Sequence, residues 1–465
     1  MITSKQLINL DIKQDKFFGE LLEYLTSNEF NTDLNSNEII SHIKKILQNK
    51  DSYIKELLPI YKNFQKIIDI LDTQKDFYAS KVYTFTEKPY KIYGADNIES
   101  SAKQQMKLAM DLPITVTGAL MSDAHTGYGI PIGGVLATDN VVIPYGVGND
   151  IACRMRLTIL NIDASYLTTH KRDLVEILKE HTRFGKTETF SNEILNHSCL
   201  KHPAWKEIKI LKEIQNKAIQ QLGTSGSGNH FVEFGEVDYI EFGLNKYLGI
   251  LSHSGSRNIG SQIAQHYTKA AKNLHKDLPQ EYKNLAWLPL DHELGIEYWK
   301  CMEVAGLYAA ANHEIIHNKL VKALGISVKL TVENHHNFAW KEIHNGREVI
   351  VHRKGATPAG IGVLGIIPGS MATPGFIVKG KGNPESLNSA SHGAGRAASR
   401  TKTFDQFSKK DLKEHLVSMG VTLIGGSVDE IPMGYKDINK VMLAQHDLVE
   451  IVGRFDPKIV RMDKE

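Results

Sequence analysis

The 465-residue chain is poor in cysteine: it has three, Cys153, Cys199 and Cys301. Three thiols cannot make a disulfide framework. They fit a reducing, cytoplasmic setting, where a special cysteine is a metal ligand or a nucleophile rather than half of a bridge. A strong charge of one sign is also missing, since 55 Lys and Arg oppose 53 Asp and Glu for a formal net charge of +2. A nucleic-acid partner would therefore need a local basic groove, not a basic protein. No run approaches the roughly 18 apolar residues of a membrane-spanning helix, so no membrane is expected. The opening residues MITSKQLINLDIKQDKFF lack a basic segment followed by an apolar core, so no signal peptide is expected. No internal repeat is found. The 42% hydrophobic and 23% charged residues suit a soluble globular protein and argue against wholesale disorder or a coiled-coil rod.

Two textures are present. Residues 1–80 are rich in Lys, Asn, Ile, Leu and Glu and poor in Gly. FFGELLEYL, NEIISHIKKIL and YIKELLPIYKNFQKIIDIL space their apolar residues three and four apart, which predicts a small helical extension. Asn35–Ser36–Asn37 is a candidate cap for the second of these helices. Residues 81–465 alternate short β-branched runs (ITVTGAL, GGVLAT, VVIPYGVG, YLGILSHSG, VKLTVEN, EVIVHR, FIVKG, GVTLIGG) with Gly-rich turns, and one long helix is expected from about Asp291 to Leu324. Strands scattered among helices without a βαβ rhythm predict a mixed α+β domain, not a doubly wound sheet.

Three short patterns mislead. His313–Glu314–x–x–His317 matches HExxH on the long helix, but no GxxH follows at metzincin spacing. Gly360–x–Gly362–x–x–Gly365 follows no clear strand and precedes no helix, so it fails the context of a dinucleotide fingerprint. GTSGSGNH, residues 223–230, lacks the Lys-Ser/Thr of a phosphate loop.

The informative residues sit in Gly-rich loops at strand ends. They are Asp123 and His125 in SDAHTGYG, Asp150 and Cys153 in GVGNDIACRM, and Asn229 and His230 in GSGNHFVEF. His253 lies in LSHSGSRNIG, His335, His336 and Asn337 in VENHHNFAW, His352 in VHRKGAT, and His392 in SASHGAGR. A lone loop histidine is ordinarily a surface or hydrogen-bonded residue; six such loops in one domain suggest a site. Asp, Cys and several His form a donor set suited to Zn²⁺, Mn²⁺, Fe²⁺ or Co²⁺ rather than Mg²⁺ or Ca²⁺, with enough ligands for two ions. Backbone N–H groups at GSGN, PGS and HGAG are placed to bind phosphate oxygens. Arg257, Arg353, Lys354, Arg396 and Arg400 add cations beside the same loops. The residues alone thus point to a metal-dependent enzyme acting on phosphates.

The run SDAHTGYGIPIGG, GVGNDIAC, GSGNHFVE, HSGSRNIG, HHN, HRKGATPA, IPGSM, NSASHGAGR and DEIPMGYKDI, in this order across residues 115–440, resembles the RtcB family of GTP- and Mn²⁺-dependent RNA ligases. The resemblance implies a catalytic domain with a fold largely its own. It implies joining of RNA 2′,3′-cyclic phosphate or 3′-phosphate ends to 5′-hydroxyl ends through a GMP–histidine intermediate. His392 matches the guanylylated histidine, and Asp123 the aspartate that would orient its ring. The metals, two Mn²⁺ ions, fall on Asp150, Cys153, His230, His253 and His336, with Cys153 bridging. The GTP contacts fall on Asn229, His230, Phe231, Val232 and Glu233, on His336 and Asn337, and on Pro368, Gly369, Ser370 and Met371. They continue through His392, Gly393, Ala394 and Gly395 to Tyr435. A serine of the family pattern falls on Gly375 here, and the near-terminal base-contacting lysine on Lys464. RNA phosphates would meet Arg257, Arg353, Lys354, Arg396 and Arg400. The expected partners are RNA with broken ends and, if activation is needed, an activating protein. The helical extension at residues 1–80 departs from the family's core. The alternative reading is a metal-dependent phosphodiesterase or other hydrolase with no covalent nucleotide.

Overall fold

Apolar residues at helical spacing build the first of two units, Met1–Val82. A computed structural model describes residues 2–12, 16–78, 83–185, 187–190 and 197–463 of the chain. In this unit the helices Lys16–Thr26, Ser36–Gln48, Lys50–Glu56 and Gln65–Tyr78 bury Leu21, Ile43, Phe64 and Ile67 in a core of their own. Asn35 caps the second of these helices: its side chain accepts from the Asn37 and Glu38 amides at 3.0 and 3.2 Å, and the Glu38 carboxylate in turn accepts from the Asn35 amide at 2.8 Å. The segment YIKELLPIYKNFQKIIDIL is not one helix. Pro59 cannot supply the amide a continuing helix needs, and the chain turns before restarting at Gln65.

The second unit, Tyr83–Glu465, is organised by an eight-stranded sheet. Its strands run in the order Leu364–Ile367, Gly375–Gly380, Val449–Met462, Phe231–Tyr239, Lys246–Ser254, Arg154–Asp163 and Val328–His335, with Thr422–Ile424 pairing in parallel beside Val449–Met462. The two end strands meet through one side chain. The Asn334 amide accepts from the Ile366 N–H at 2.8 Å and donates to the Ile366 carbonyl at 3.3 Å and to Thr357 Oγ1 at 2.8 Å. The Asn334 side chain thus takes the place of strand pairing at one residue, Ile366.

A second, five-stranded sheet orders Lys91–Ile92, Thr115–His125, Ile132–Thr138, Arg347–Lys354 and Asn337–His344. The helix Glu293–Leu324 packs its small residues Ala305, Gly306 and Ala309 into the core and stops at Gly325, whose φ of +66° suits glycine at a helix end. Of VVIPYGVG only Val141–Val142 is strand, because Pro144 begins a short helix, Pro144–Val147. The long strand Val449–Met462 carries Pro457, which reads against a strand. The sheet accommodates it where the register shifts between Pro457 and Ile459.

Two expected phosphate contacts are corrected here. Arg353 is 1% exposed, and its guanidinium is used internally: Nη1 and Nη2 bond Glu342 at 2.6 and 3.1 Å, Nε bonds Ser389 Oγ at 2.7 Å, and Nη2 also bonds the Leu387 carbonyl at 2.8 Å. Lys354, the next residue, turns to the other face of the strand. Its Nζ is bound by the Tyr128 carbonyl and, at 3.2 Å, by that of Tyr145, and burial lowers its pKa to about 7. Neither cation faces solvent.

The closure and the buried pair both make stability predictions. Asn334→Ala leaves buried backbone groups unpaired, each worth about 1–3 kcal/mol, so the urea midpoint of the unfolding transition should fall by a clear margin; an unchanged midpoint would remove the closure role. Arg353→Ala leaves the largely buried Glu342 with only its His344 bond at 2.8 Å, and breaking such a pair costs about 3 kcal/mol. Its midpoint should fall while the salt dependence of RNA binding stays at the wild-type slope. A flattened slope would restore the phosphate role.

Candidate metal centre and nucleotide cavity

Strand register gathers the donors. In the eight-stranded sheet His253 pairs with Phe231 on one side and Met155 on the other, and Arg154 pairs with His335. The residues just outside these pairs, His230, Cys153 and His336, therefore emerge at the same edge as His253. Asp150 joins them through a turn in which the Cys153 amide bonds the Asp150 carbonyl at 3.2 Å. Four neighbouring strands thus deliver a carboxylate, a thiol and three imidazoles to one place.

The donor atoms form a continuous chain. Asp150 Oδ2 lies 3.0 Å from His230 Nε2, which lies 3.5 Å from Cys153 Sγ. Cys153 Sγ is 3.1 Å from His253 Nε2, and that nitrogen is 3.3 Å from His336 Nε2. The Cys153, His230 and His253 donors all lie within 4.8 Å of one another. His253 Nδ1 donates to the Asn229 carbonyl at 3.0 Å, so its Nε2 presents a bare lone pair to the cluster. Burial lowers the His253 pKa to about 3 and holds His336 well below the usual range, so both are neutral imidazoles. Burial alone would raise the Asp150 carboxyl, but the bond to His230 and its charge outweigh it and leave it lowered. Burial, with Asp150 beside it, pushes the Cys153 thiol well up. The other nitrogens of His230 and His336 are buried with no partner. Lone pairs crowded together without enough protons between them fit a divalent cation of intermediate softness.

His392 stands beside this cluster, its ring centroid 4.8 Å from that of His336. It follows the short strand Ser389–Ser391. Its Nδ1 lies 2.7 Å from Asp123 Oδ2, which also accepts from the His392 and Gly393 amides at 3.0 and 3.3 Å. Asp123 is fully buried. Burial works to raise its carboxyl, but the charge and hydrogen bond of His392 prevail and lower it. An ionised Asp123 fixes the proton on Nδ1 and leaves Nε2 as the nucleophilic nitrogen. Gly355, at φ +61°, is required here: a Cβ would lie 2.3 Å from Ile132 Cγ2 and 3.1 Å from His392 Cε1.

A cavity of about 300 Å³ opens over His392. Its walls include Asn229, Phe231, His253 and His336, the segment Pro368–Met371, His392–Gly395, and Arg396, Arg400 and Tyr435. Glu430 also lines it, a residue the sequence reading assigned no role. It accepts from the Tyr435 hydroxyl and pairs with Arg396 at 3.4 Å and Arg400 at 2.6 Å, while Asp429 takes a second bond from Arg400. Both carboxylates are 2% exposed. The signal was the DE of DEIPMGYKD, from which only Tyr435 was assigned.

Other expected contacts fall elsewhere. The Val232 side chain packs into the core with Phe234 and Ile250, on the strand face opposite Phe231, so its expected nucleotide contact is corrected. Glu233 is buried off the cavity wall, its carboxyl pushed well up by burial. Gly375 sits behind Pro368. The Asn337 side chain spans the Asp150 carbonyl at 3.2 Å and the Gly355 amide at 2.8 Å, tying the two loops. Arg257, at the start of helix Arg257–Leu274, bonds Thr224 Oγ1 at 3.0 Å and the Gly185 carbonyl. His352 accepts from the Ile143 amide at 2.9 Å, and His335 packs against Phe338 and Trp340. Lys464 lies outside the described residues.

The HExxH pair is structural. His313 Nε2 donates to the Ser254 carbonyl at 3.1 Å and its Nδ1 accepts from Ser252 Oγ at 2.6 Å. Ser252 in turn accepts from His317 Nε2 at 2.7 Å, and His317 Nδ1 accepts from Thr158 at 2.8 Å. Every ring nitrogen is satisfied, on the face of the strand opposite His253.

Comparison with known proteins agrees with the site. The family model described as tRNA-splicing ligase RtcB matches residues 105–208 and 191–463. The RNA-splicing ligase RtcB of Escherichia coli K12 is 34% identical over 388 residues, covering 76% of this chain and 92% of the relative. The tRNA-splicing ligase RtcB of Methanococcus maripaludis is 31% identical over 428 residues, covering 76% and 89%. With the family model matching well over half its length around this histidine-rich cavity, the chain belongs to the RtcB family.

Proposed function

We propose that this protein is an RNA ligase. It joins RNA 2′,3′-cyclic phosphate or 3′-phosphate ends to 5′-hydroxyl ends through a GMP–His392 adduct, with GTP as the energy source and two divalent ions, Mn²⁺ by preference, in the centre. One observation carries the reading: His392 Nδ1 is tied to buried Asp123 at 2.7 Å while its ring faces the cavity beside the donor cluster.

Asp150 and His230 would hold one ion, His253 and His336 the other, with Cys153 shared. Ions held there neutralise phosphate charge and polarise phosphoryl oxygens. His392 Nε2 attacks the α-phosphorus of GTP; a P–N bond forms and the P–O bond to pyrophosphate breaks. The ring becomes cationic as it reacts, and Asp123 stabilises that charge. An oxygen of the RNA 3′-phosphate, freed by water where the end is cyclic, next takes GMP from His392. The 5′-hydroxyl then attacks the activated phosphate, a phosphodiester forms and GMP departs. Arg396 and Arg400 flank the cavity as the cations nearest the transferred phosphates, and Asn229, Pro368–Met371 and Tyr435 border the nucleotide.

The test uses GTP labelled at the α-phosphate with Mn²⁺ and no RNA. Acid-labile label should appear on the wild-type polypeptide, be absent from His392→Ala and fall at least about 100-fold in Asp123→Ala, the scale of a positioned proton-handling partner. Label on Asp123→Ala at the wild-type level would sink the orienting role. No label on wild type with metal bound favours the hydrolase reading. A separate measurement, equilibrium dialysis of Mn²⁺, should show Cys153→Ser and His253→Ala binding more than about tenfold more weakly. Unchanged uptake would move the metals elsewhere.

A further inference from the structure

A groove outside the cavity has no role in the chemistry above. It lies along the helix Arg257–Leu274, has a volume of about 570 Å³, and is lined by two lysines, Lys269 and Lys272, by amide side chains such as Asn149 and Asn273, and by no carboxylate. At its end the Tyr145 ring stacks on the Tyr128 ring, with centroids 5.8 Å apart and planes inclined by 15°. Tyr128 is 66% exposed, unusual for a large aromatic side chain. Lys272 Nζ sits 5.8 Å from the Tyr145 ring centre. Thr268 Oγ1, also in the groove wall, is buried without a partner.

The groove is joined to the reacting centre. Tyr128 belongs to the loop between His125 and Ile132, both of which line the cavity over His392. Three residues of extended chain span at most about 10 Å. The same loop packs on the groove: a Cβ at Gly129 would lie 3.0 Å from the Tyr145 carbonyl and 3.1 Å from that of Asn284, another lining residue. Lys354, adjacent to the Gly355 that abuts His392, fastens the Tyr128 and Tyr145 carbonyls together.

Building on the ligase reading, we infer that the Tyr128–Tyr145 stack and the Lys269–Lys272 groove form a subsite for the single-stranded nucleotides next to the broken RNA end. An exposed ring backed by a second ring is a stacking platform for a base. Paired lysines with no opposing carboxylate suit backbone phosphates, and amides suit base edges or 2′-hydroxyls. A near-neutral protein gains RNA affinity through such a local stripe. Tyr128 differs from Arg353 and Lys354 in having an exposed side chain free to meet a ligand.

The experiment measures binding of two fluorescent single-stranded oligoribonucleotides, one ending in a 3′-phosphate and one beginning with a 5′-hydroxyl, to full-length protein. Tyr128→Ala should weaken at least one of them by about fivefold or more, the usual loss for a stacked base, while Tyr128→Phe restores it. Lys269→Ala with Lys272→Ala should flatten the slope of log affinity against log salt by about 1.4, the sum for two single-strand phosphate contacts. Which oligonucleotide responds assigns the groove to that strand. Wild-type affinity and slope in all variants would overturn the subsite. Guanylylation without RNA is scored separately on the same preparations: its absence from wild type counts against the ligase chemistry, whereas lost binding in Tyr128→Ala counts for the groove in either case.

Discussion

The register of four antiparallel strands is the constraint on which the site depends. Pairing Met155 with His253, Phe231 with His253 and Arg154 with His335 sets the residues around those pairs at one sheet edge. Side chains alternate across a strand, so a slip of one residue would send His253 to the face where Ser252 and Ser254 meet His313 and His317. The buried hydroxyl–imidazole network works against that slip, because the slip would take Ser252 and the Ser254 carbonyl away from three ring nitrogens in the core. The feature that imitates a zinc protease motif thus helps hold the strand that presents His253 to the donor cluster.

His392 depends on a different sheet, and two loops couple the halves. Asp123 comes from the five-stranded sheet, and His392 follows the strand Ser389–Ser391, which pairs with Ala356–Pro358. The Ala356 amide bonds the His336 carbonyl at 3.3 Å, and Asn337 links the Asp150 loop to Gly355. A displacement of the donor cluster is therefore transmitted to the residue that leaves room for His392. Positioning of this kind is valuable where two charged centres must act on one phosphate, since small misplacements are costly.

Much of this was legible because chemistry-bearing residues in Gly-rich loops stand out against their surroundings. The mixed α+β class followed from strands without a βαβ rhythm, and the long helix Glu293–Leu324 from its unbroken apolar spacing. Legibility failed where the determining fact was which way a strand residue points. Arg353 and Lys354 are adjacent and both basic, yet one is locked to Glu342 and the other to two carbonyls. The family resemblance counts Val232 with Phe231 among the nucleotide contacts, although the pleat sends its side chain to the core. The strand Val449–Met462 was hidden by Pro457, which only a register shift makes tolerable. Asp429 and Glu430 show in the sequence only as the acidic pair of DEIPMGYKD; their partners Arg396 and Arg400 lie some thirty residues away in the chain.

Those pairings also explain how a chain of net charge +2 keeps cations at the cavity wall. Arg396 and Arg400 sit at the cavity wall against two carboxylates that are 2% exposed. Burying two carboxylates side by side is unfavourable unless cations answer them, so Asp429 and Glu430 require the arginines as much as they orient them. The guanidiniums are thereby held in place before any ligand arrives, and less side-chain freedom is lost when a phosphate binds. Arg400 keeps a side-chain exposure of 44% while paired, which leaves donors on its outer edge. Positive charge is thus concentrated locally and anchored from beneath by buried carboxylates, without the chain as a whole being basic.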